Sequence, residues 1–170
     1  EPSLNGWTIY LDLNNDNHYG MIGIDISYGS KHNTISGGII AYNVVAGVSI
    51  YDSDTYDNQI LAGSIHDNGD EESNPDEEEI HIDGDANDNI GAPGIMSADI
   101  EGGQIVIRGK SFPRGTIQIY ANQANERQGE IYLGSCVTDD AGFLACDTHF
   151  IPGPYLTATA TIAGRGTSEF

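Results

Sequence analysis

The chain has 170 residues, 38% of them hydrophobic, with 22 Gly and a formal net charge of −20. That acidity offers no surface for phosphate, so nucleic acid and anionic membranes are poor partners. No run approaches the roughly 18 unbroken apolar residues of a membrane span, so membrane insertion is not expected. Val, Ile, Thr and Tyr recur in short runs broken by Gly, Asn and Asp, which predicts strands joined by tight turns.

The charge is unevenly spread. Residues 1–100 carry 19 acidic residues against Lys31 alone, whereas residues 101–170 carry 7 against 5 basic ones. Loop-borne carboxylates at such density suit Ca²⁺, and solvation of the surface is the simpler reading of the same fact. The chain opens at Glu1 without a basic-then-apolar leader, and is expected to be a mature or excised form.

Near the start, Asp12, Asn14 and Asp16 alternate as Ca²⁺ loop ligands do, although Gly23 stands where the Glu of an EF-hand would be. Trp7 to Leu11 is a candidate strand. An internal repeat follows. Gly23, Ile24 and Ile26 match Gly47, Val48 and Ile50 at an offset of 24, and Asn33, Ile35, Ile40 and Asn43 match Asn58, Ile60, Ile65 and Asn68 at an offset of 25. A period of this size with three short apolar stretches fits one coil of a right-handed parallel β-helix. Ile and Val then point inward at period two, and stacked Asn residues bond along the axis.

Residues 70–79 are charged or turn-forming throughout and are expected to form an acidic loop. Asp83, Asp85, Asn87 and Asp88 repeat the alternation seen at Asp12 and form a second Ca²⁺ candidate; Asx-rich turns explain both segments equally. Beyond Pro93, five or six short strands at turn-separated spacing predict an antiparallel sandwich. Cys136 and Cys146 lie equidistant from Ala141, so a disulfide is expected across a hairpin turning at Asp139-Asp140-Ala141-Gly142. It would place the chain in an oxidising, extracellular compartment; two buried free thiols are the alternative.

The NTISG…IIAYN and NQILAG…SIHDN repeats resemble the parallel β-helix repeats of bacterial and archaeal surface proteins related to NosD. The second half is similar to the small Ig-like domain that follows the helix in many of them. The similarity runs from Gly103-Gln104-Ile105-Val106-Ile107-Arg108-Gly109 to the closing Leu156-Thr157-Ala158-Thr159-Ala160-Thr161 and Thr167-Ser168-Glu169-Phe170. The opening from Leu4 to Asn15 separately resembles the start of Ca²⁺-associated surface repeats of the SdrD type. The resemblance implies an all-β chain: a short right-handed parallel β-helix segment over residues 1–92 and an Ig-like antiparallel β-sandwich over 93–170.

β-helices also host pectin-type lyases and hydrolases. A lyase, however, needs a cationic base near its carboxylates, and residues 1–100 hold no Arg. Asp25, Asp52, Asp54 and Asp57 are the carboxylates a glycosidase would draw on, but two coils build no groove for them. His18, His32, His66, His81 and His149 show no metal spacing. A short β-helix leaves its ends in need of cover, from further coils, the sandwich or another copy of the chain. The reading is therefore a non-enzymatic extracellular or cell-surface structural subunit, in a filament, surface layer or stalk, with copies of itself as partner. The alternative is an adhesin-like module presenting Tyr28, Tyr42, Tyr51 and Tyr56 to glycans.

Overall fold

The computed structural model describes residues 3–5, 22–69 and 79–170. The chain is all-β. Its first half holds eight short strands among the described residues: β1 (Ser3–Asn5), β2 (Ile22–Ile26), β3 (Thr34–Ser36), β4 (Ile39–Ala41), β5 (Ala46–Ile50), β6 (Gln59–Leu61), β7 (Ser64–His66) and β8 (Ile80–Ile82). They form three small sheets in which every neighbour is parallel: β1-β3-β6, β2-β5-β8 and β4-β7. Successive strands belong to different sheets, so β2-β3-β4, β5-β6-β7 and β8 are successive layers of one stack.

The register is the one the repeat predicts. Ile24 faces Val48 and Ile26 faces Ile50, Ile35 faces Ile60 and Ile40 faces Ile65. All of these but Ile24, with Ile80 and Ala86, make one buried cluster, and the partly buried Ile24 packs against it. Two polar ladders run beside it. Asn58 Oδ1 accepts both the backbone N–H (3.2 Å) and the Nδ2 (2.9 Å) of Asn33, and Asn87 Oδ1 accepts the Asn58 N–H at 3.0 Å. In the second ladder Asn68 Oδ1 accepts from Asn43 N at 3.1 Å and Nδ2 at 2.7 Å. Glu79 takes the next rung, its Oε1 accepting Asn68 N at 3.0 Å and its Oε2 accepting Asn68 Nδ2. Glu79 is therefore a buried member of the stack, not the end of a solvated loop; residues 70–78 of the expected loop, like Trp7 to Leu11, lie outside the described residues.

Glycine makes room for the second ladder. A Cβ on Gly47 would stand 2.7 Å from the Glu79 carbonyl oxygen and 2.8 Å from Asn68 Nδ2, and one on Gly23 would stand 2.8 Å from Asn43 Nδ2.

The second half holds seven strands: β9 (Gly94–Glu101), β10 (Gln104–Lys110), β11 (Thr116–Asn122), β12 (Ile131–Val137), β13 (Phe143–Thr148), β14 (Tyr155–Ile162) and β15 (Gly166–Thr167). They form two antiparallel sheets, β13-β10-β9 and β12-β11-β14-β15. Ile107, Leu144 and Cys146 from the first sheet meet Ile117, Ile119, Ala158 and Ala160 from the second in a separate buried cluster. Cys136 and Cys146 are joined as a disulfide, but not across a hairpin. Cys136 pairs with Ile117 in one sheet and Cys146 with Ile107 in the other, so the bond ties the two sheets together. The Asp139–Gly142 segment does turn: Asp139 Oδ1 accepts the N–H groups of Ala141 and Phe143, both at 2.8 Å. It carries the chain from one sheet to the other, which equal spacing about Ala141 does not distinguish from a hairpin.

Gly47→Ala is expected to lower stability by roughly 1–3 kcal/mol through overpacking. Gly91→Ala, where an added Cβ meets nothing within 4 Å, serves as the neutral control. Thermal unfolding of the two variants beside the parent checks this; equal midpoints would show that the Gly47 contact is not confining.

Candidate functional site

The two halves meet on the closing face of the stack, the last layer formed by the final strand of each sheet, β6, β7 and β8. Strand β11 is buried on both faces: Ile117, Ile119 and Ala121 alternate with Gln118, Tyr120 and Asn122, and all six are buried. Ile117 and Ile119 face the disulfide-tied partner sheet. Gln118 reaches the stack and Tyr120 the stack-packed Phe170, while Asn122 bonds Thr157 and Glu130 within its own half. Strand β14 obeys the same rule, with Ala158 and Ala160 turned to the apolar cluster and Thr159 and Thr161 buried on the other side. The Thr-Ala alternation of the closing segment is thus a two-faced strand, one face apolar and the other hydrogen-bonding.

That polar face covers the outer edge of β6. Thr167 donates its N–H to the Asn58 carbonyl at 3.0 Å and accepts the Ile60 N–H on Oγ1 at 2.9 Å. Gln118 donates Nε2 to the Ile60 carbonyl at 2.7 Å and accepts the Ala62 N–H on Oε1. The β7 edge is met by backbone, since Ile65 and Gly129 exchange both N–H···O bonds at 2.9 and 2.7 Å. Gln128 Oε1 accepts the Asp67 N–H at 3.2 Å. On β8, Glu169 Oε1 accepts the Ile82 N–H at 2.9 Å. Phe170 packs on the stack's apolar cluster and meets Tyr120 edge-on at 5.3 Å between ring centroids. Unpaired backbone groups buried here would each cost about 1–3 kcal/mol, so these contacts hold the halves together.

The candidate Ca²⁺ ligands are divided in role. Asn87 is fully buried and spent on the ladder, its Nδ2 donating to the carbonyls of Asn58 (2.8 Å) and Thr167 (3.1 Å). Asp88 pairs with Arg165 at 2.9 Å, and Asp83 Oδ1 accepts the Gly84 N–H at 2.6 Å. Asp85, Asn87, Asp88 and Asn89 all have left-handed backbone, with φ between 46° and 62°, a conformation Asp and Asn tolerate better than other side chains. Among the described residues no group of three or more His, Cys, Asp or Glu side chains is placed to hold a metal ion. Asp12, Asn14 and Asp16 lie outside the described residues.

His18 lies outside the described residues and His149 is exposed after β13; the other singled-out side chains belong to the stack. Asp25, Asp52 and Asp54 are exposed, and Asp52 Oδ2 accepts the Tyr28 N–H at 2.9 Å. Asp57 is held between His32 Nδ1 at 2.7 Å and the Gly164 N–H at 3.1 Å. His66 and His81 each meet a tyrosine edge-on, Tyr42 and Tyr51 respectively. Tyr28 and Tyr42 are 95% and 75% exposed, and both have left-handed backbone, φ 54° and 63°.

Sequence reasoning missed Gln118, Gln128, Gly129, Thr167 and Glu169. An alternating polar residue on a strand reads as solvent-facing, and nothing local in Ile117-Gln118-Ile119 says that its polar side meets protein. No protein-family model matches the chain, and neither does any curated protein.

Burial pushes the Tyr120 phenol well above its ordinary range, opposed in part by a hydrogen bond to Thr159. A raised acid keeps its proton longer in the folded state than in the unfolded one. The stabilising difference is therefore intact below the unfolded value of about 10 and is lost as pH rises beyond it. In an alkaline titration, Tyr120 is expected to ionise only together with loss of the native circular dichroism. Complete phenolate formation by all nine tyrosines in a still-native protein would contradict this.

Proposed function

We propose that the chain is an extracellular structural module: a short right-handed parallel β-helix closed at one end by an Ig-like sandwich, serving in a filament, surface layer or stalk. The observation that carries the reading is the last layer's covered edge. The conspicuous polar side chains of both halves, Asn33, Asn58, Asn87, Gln118 and Thr167, are engaged in holding layers and halves together. The resemblance to NosD-related surface proteins supports the same architecture, and the Cys136–Cys146 disulfide suits an oxidising setting outside the cell. No helix among the described residues is long and apolar enough to cross a membrane.

With the last layer covered, association between copies runs through the opposite end of the stack. There β2 and β4 are the outermost described strands of their sheets, and β1 adds in parallel to β3. An adhesin role is the second reading. It draws on Tyr28 and Tyr42, bulky residues held exposed in a backbone conformation that costs them energy, and neutral glycans would be the ligand class. Ca²⁺ binding at the acidic turns belongs with either role.

Sedimentation velocity over a wide concentration range, with and without Ca²⁺, tests the leading reading, and electron microscopy shows the form of any assembly. Concentration-dependent association is expected. A monomer under every condition would contradict it, and retention on a glycan array by such a monomer would favour the adhesin.

A further inference from the structure

We infer that the sandwich is a terminator: its polar face imitates a further layer and keeps the last layer's strand edges from pairing with a second copy of the chain. The inference rests on the stacked-layer reading of the first half but not on assembly through the other end.

The imitation is specific. In a parallel ladder, one residue of the incoming strand donates its N–H to the carbonyl on one side of its opposite number and accepts the N–H on the other side. Gln118 does this with its side-chain amide. It donates to the Ile60 carbonyl and accepts the Ala62 N–H, as a residue opposite Leu61 would. Thr167 does the same one step earlier, donating its N–H to Asn58 and accepting the Ile60 N–H on its hydroxyl, as a residue opposite Gln59 would. Together they satisfy four consecutive outward groups along the three-residue β6 and its flanking residues Asn58 and Ala62. Gly129 pairs with Ile65 on β7, and Glu169 takes the Ile82 N–H on β8. The final strand of each of the three sheets is thus contacted by the second half, β6 most fully.

The stack itself shows what such an edge takes when it is free. β5 received β8 and β3 received β6, each as a parallel strand of this chain. An uncovered edge of short, paired-ready strands is a template for the same kind of strand, and a second copy supplies it. The acidity of the first half opposes that encounter, but at physiological ionic strength such repulsion is screened beyond about 8 Å. The cover, not charge, then keeps the edge unpaired.

The test is Gln118→Leu combined with Thr167→Val, which removes three of the four mimicking groups while keeping near-native side-chain volume. Gln118→Leu alone is the milder companion. The parent and both variants are compared by sedimentation velocity at physiological salt, with amide exchange read at Ile60 and Ala62. Either variant, folded and disulfide-bonded, is expected to associate at a concentration at least tenfold below that of the parent. In it, Ile60 and Ala62 lose protection as monomer and regain it on association. A folded variant that loses protection there yet associates no more than the parent would overturn the inference. Failure of both variants to fold would overturn it too, since the mimicking groups would then be a foundation of the fold and not a guard. If the parent proves monomeric at all concentrations, the proposed assembly role fails while this comparison still decides the terminator.

Discussion

A strand edge that is buried must have its N–H and C=O groups met, and the rest of this molecule depends on how the last layer's edge is met. Strands of three residues such as β6 and β7 bury little by themselves. Each is bonded on one side to the previous layer, and on the other β6 is met by Gln118 and Thr167 and β7 by Gly129. Net hydrogen bonds contribute only about 1 kcal/mol apiece, whereas an orphaned buried group costs more than that. The arrangement matters chiefly for what it avoids.

The same requirement shapes the second half. A sheet that must pack on an apolar partner and also cover a polar edge needs strands with two different buried faces. β11 and β14 supply them by alternating Ile with Gln and Ala with Thr. The Cys136–Cys146 bond then fixes the sheet carrying that face to the sheet behind it. The chain's last residues are drawn into the same junction, with Thr167 and Ser168 fully buried and Ser168 exchanging bonds with Ala160 through N–H and Oγ at 2.9 Å each. Phe170 closes it against both Tyr120 and the stack. Each half thus contributes polar groups to the junction that the other half meets.

How much of this was legible in the sequence follows from where the signal was local. Ile24, Ile35 and Ile40 and their partners are readable because two layers repeat with nearly equal spacing, and the Asn33 and Asn43 ladders come with them. The third layer is not readable in that way. The acidic insertion lengthens the step to β8, and the next rung is Asn87 in one ladder but Glu79 in the other. A carboxylate at the end of an acidic run looks solvated, and only the ladder reveals it as buried. The disulfide partners were evident from their number. The path between them was not, because a turn between sheets and a hairpin have the same residues. β9 is not legible in the sequence, since Met96, Ser97 and Asp99 break its apolar pattern and an edge strand needs little of one. The junction was hidden for a general reason: a polar residue buried against protein and one facing water are the same letter, and only the partner distinguishes them.

Residue-resolved amide exchange on the intact protein tests most directly whether the last layer is sealed by the sandwich. The account predicts that the amides of Ile60, Ala62 and Ile65, whose acceptors are Thr167, Gln118 and Gly129 of the other half, are strongly protected and open only when the halves part. Fast exchange at those three positions alongside a protected β11 would mean that the edge is bare in solution, and the account would be wrong at its base.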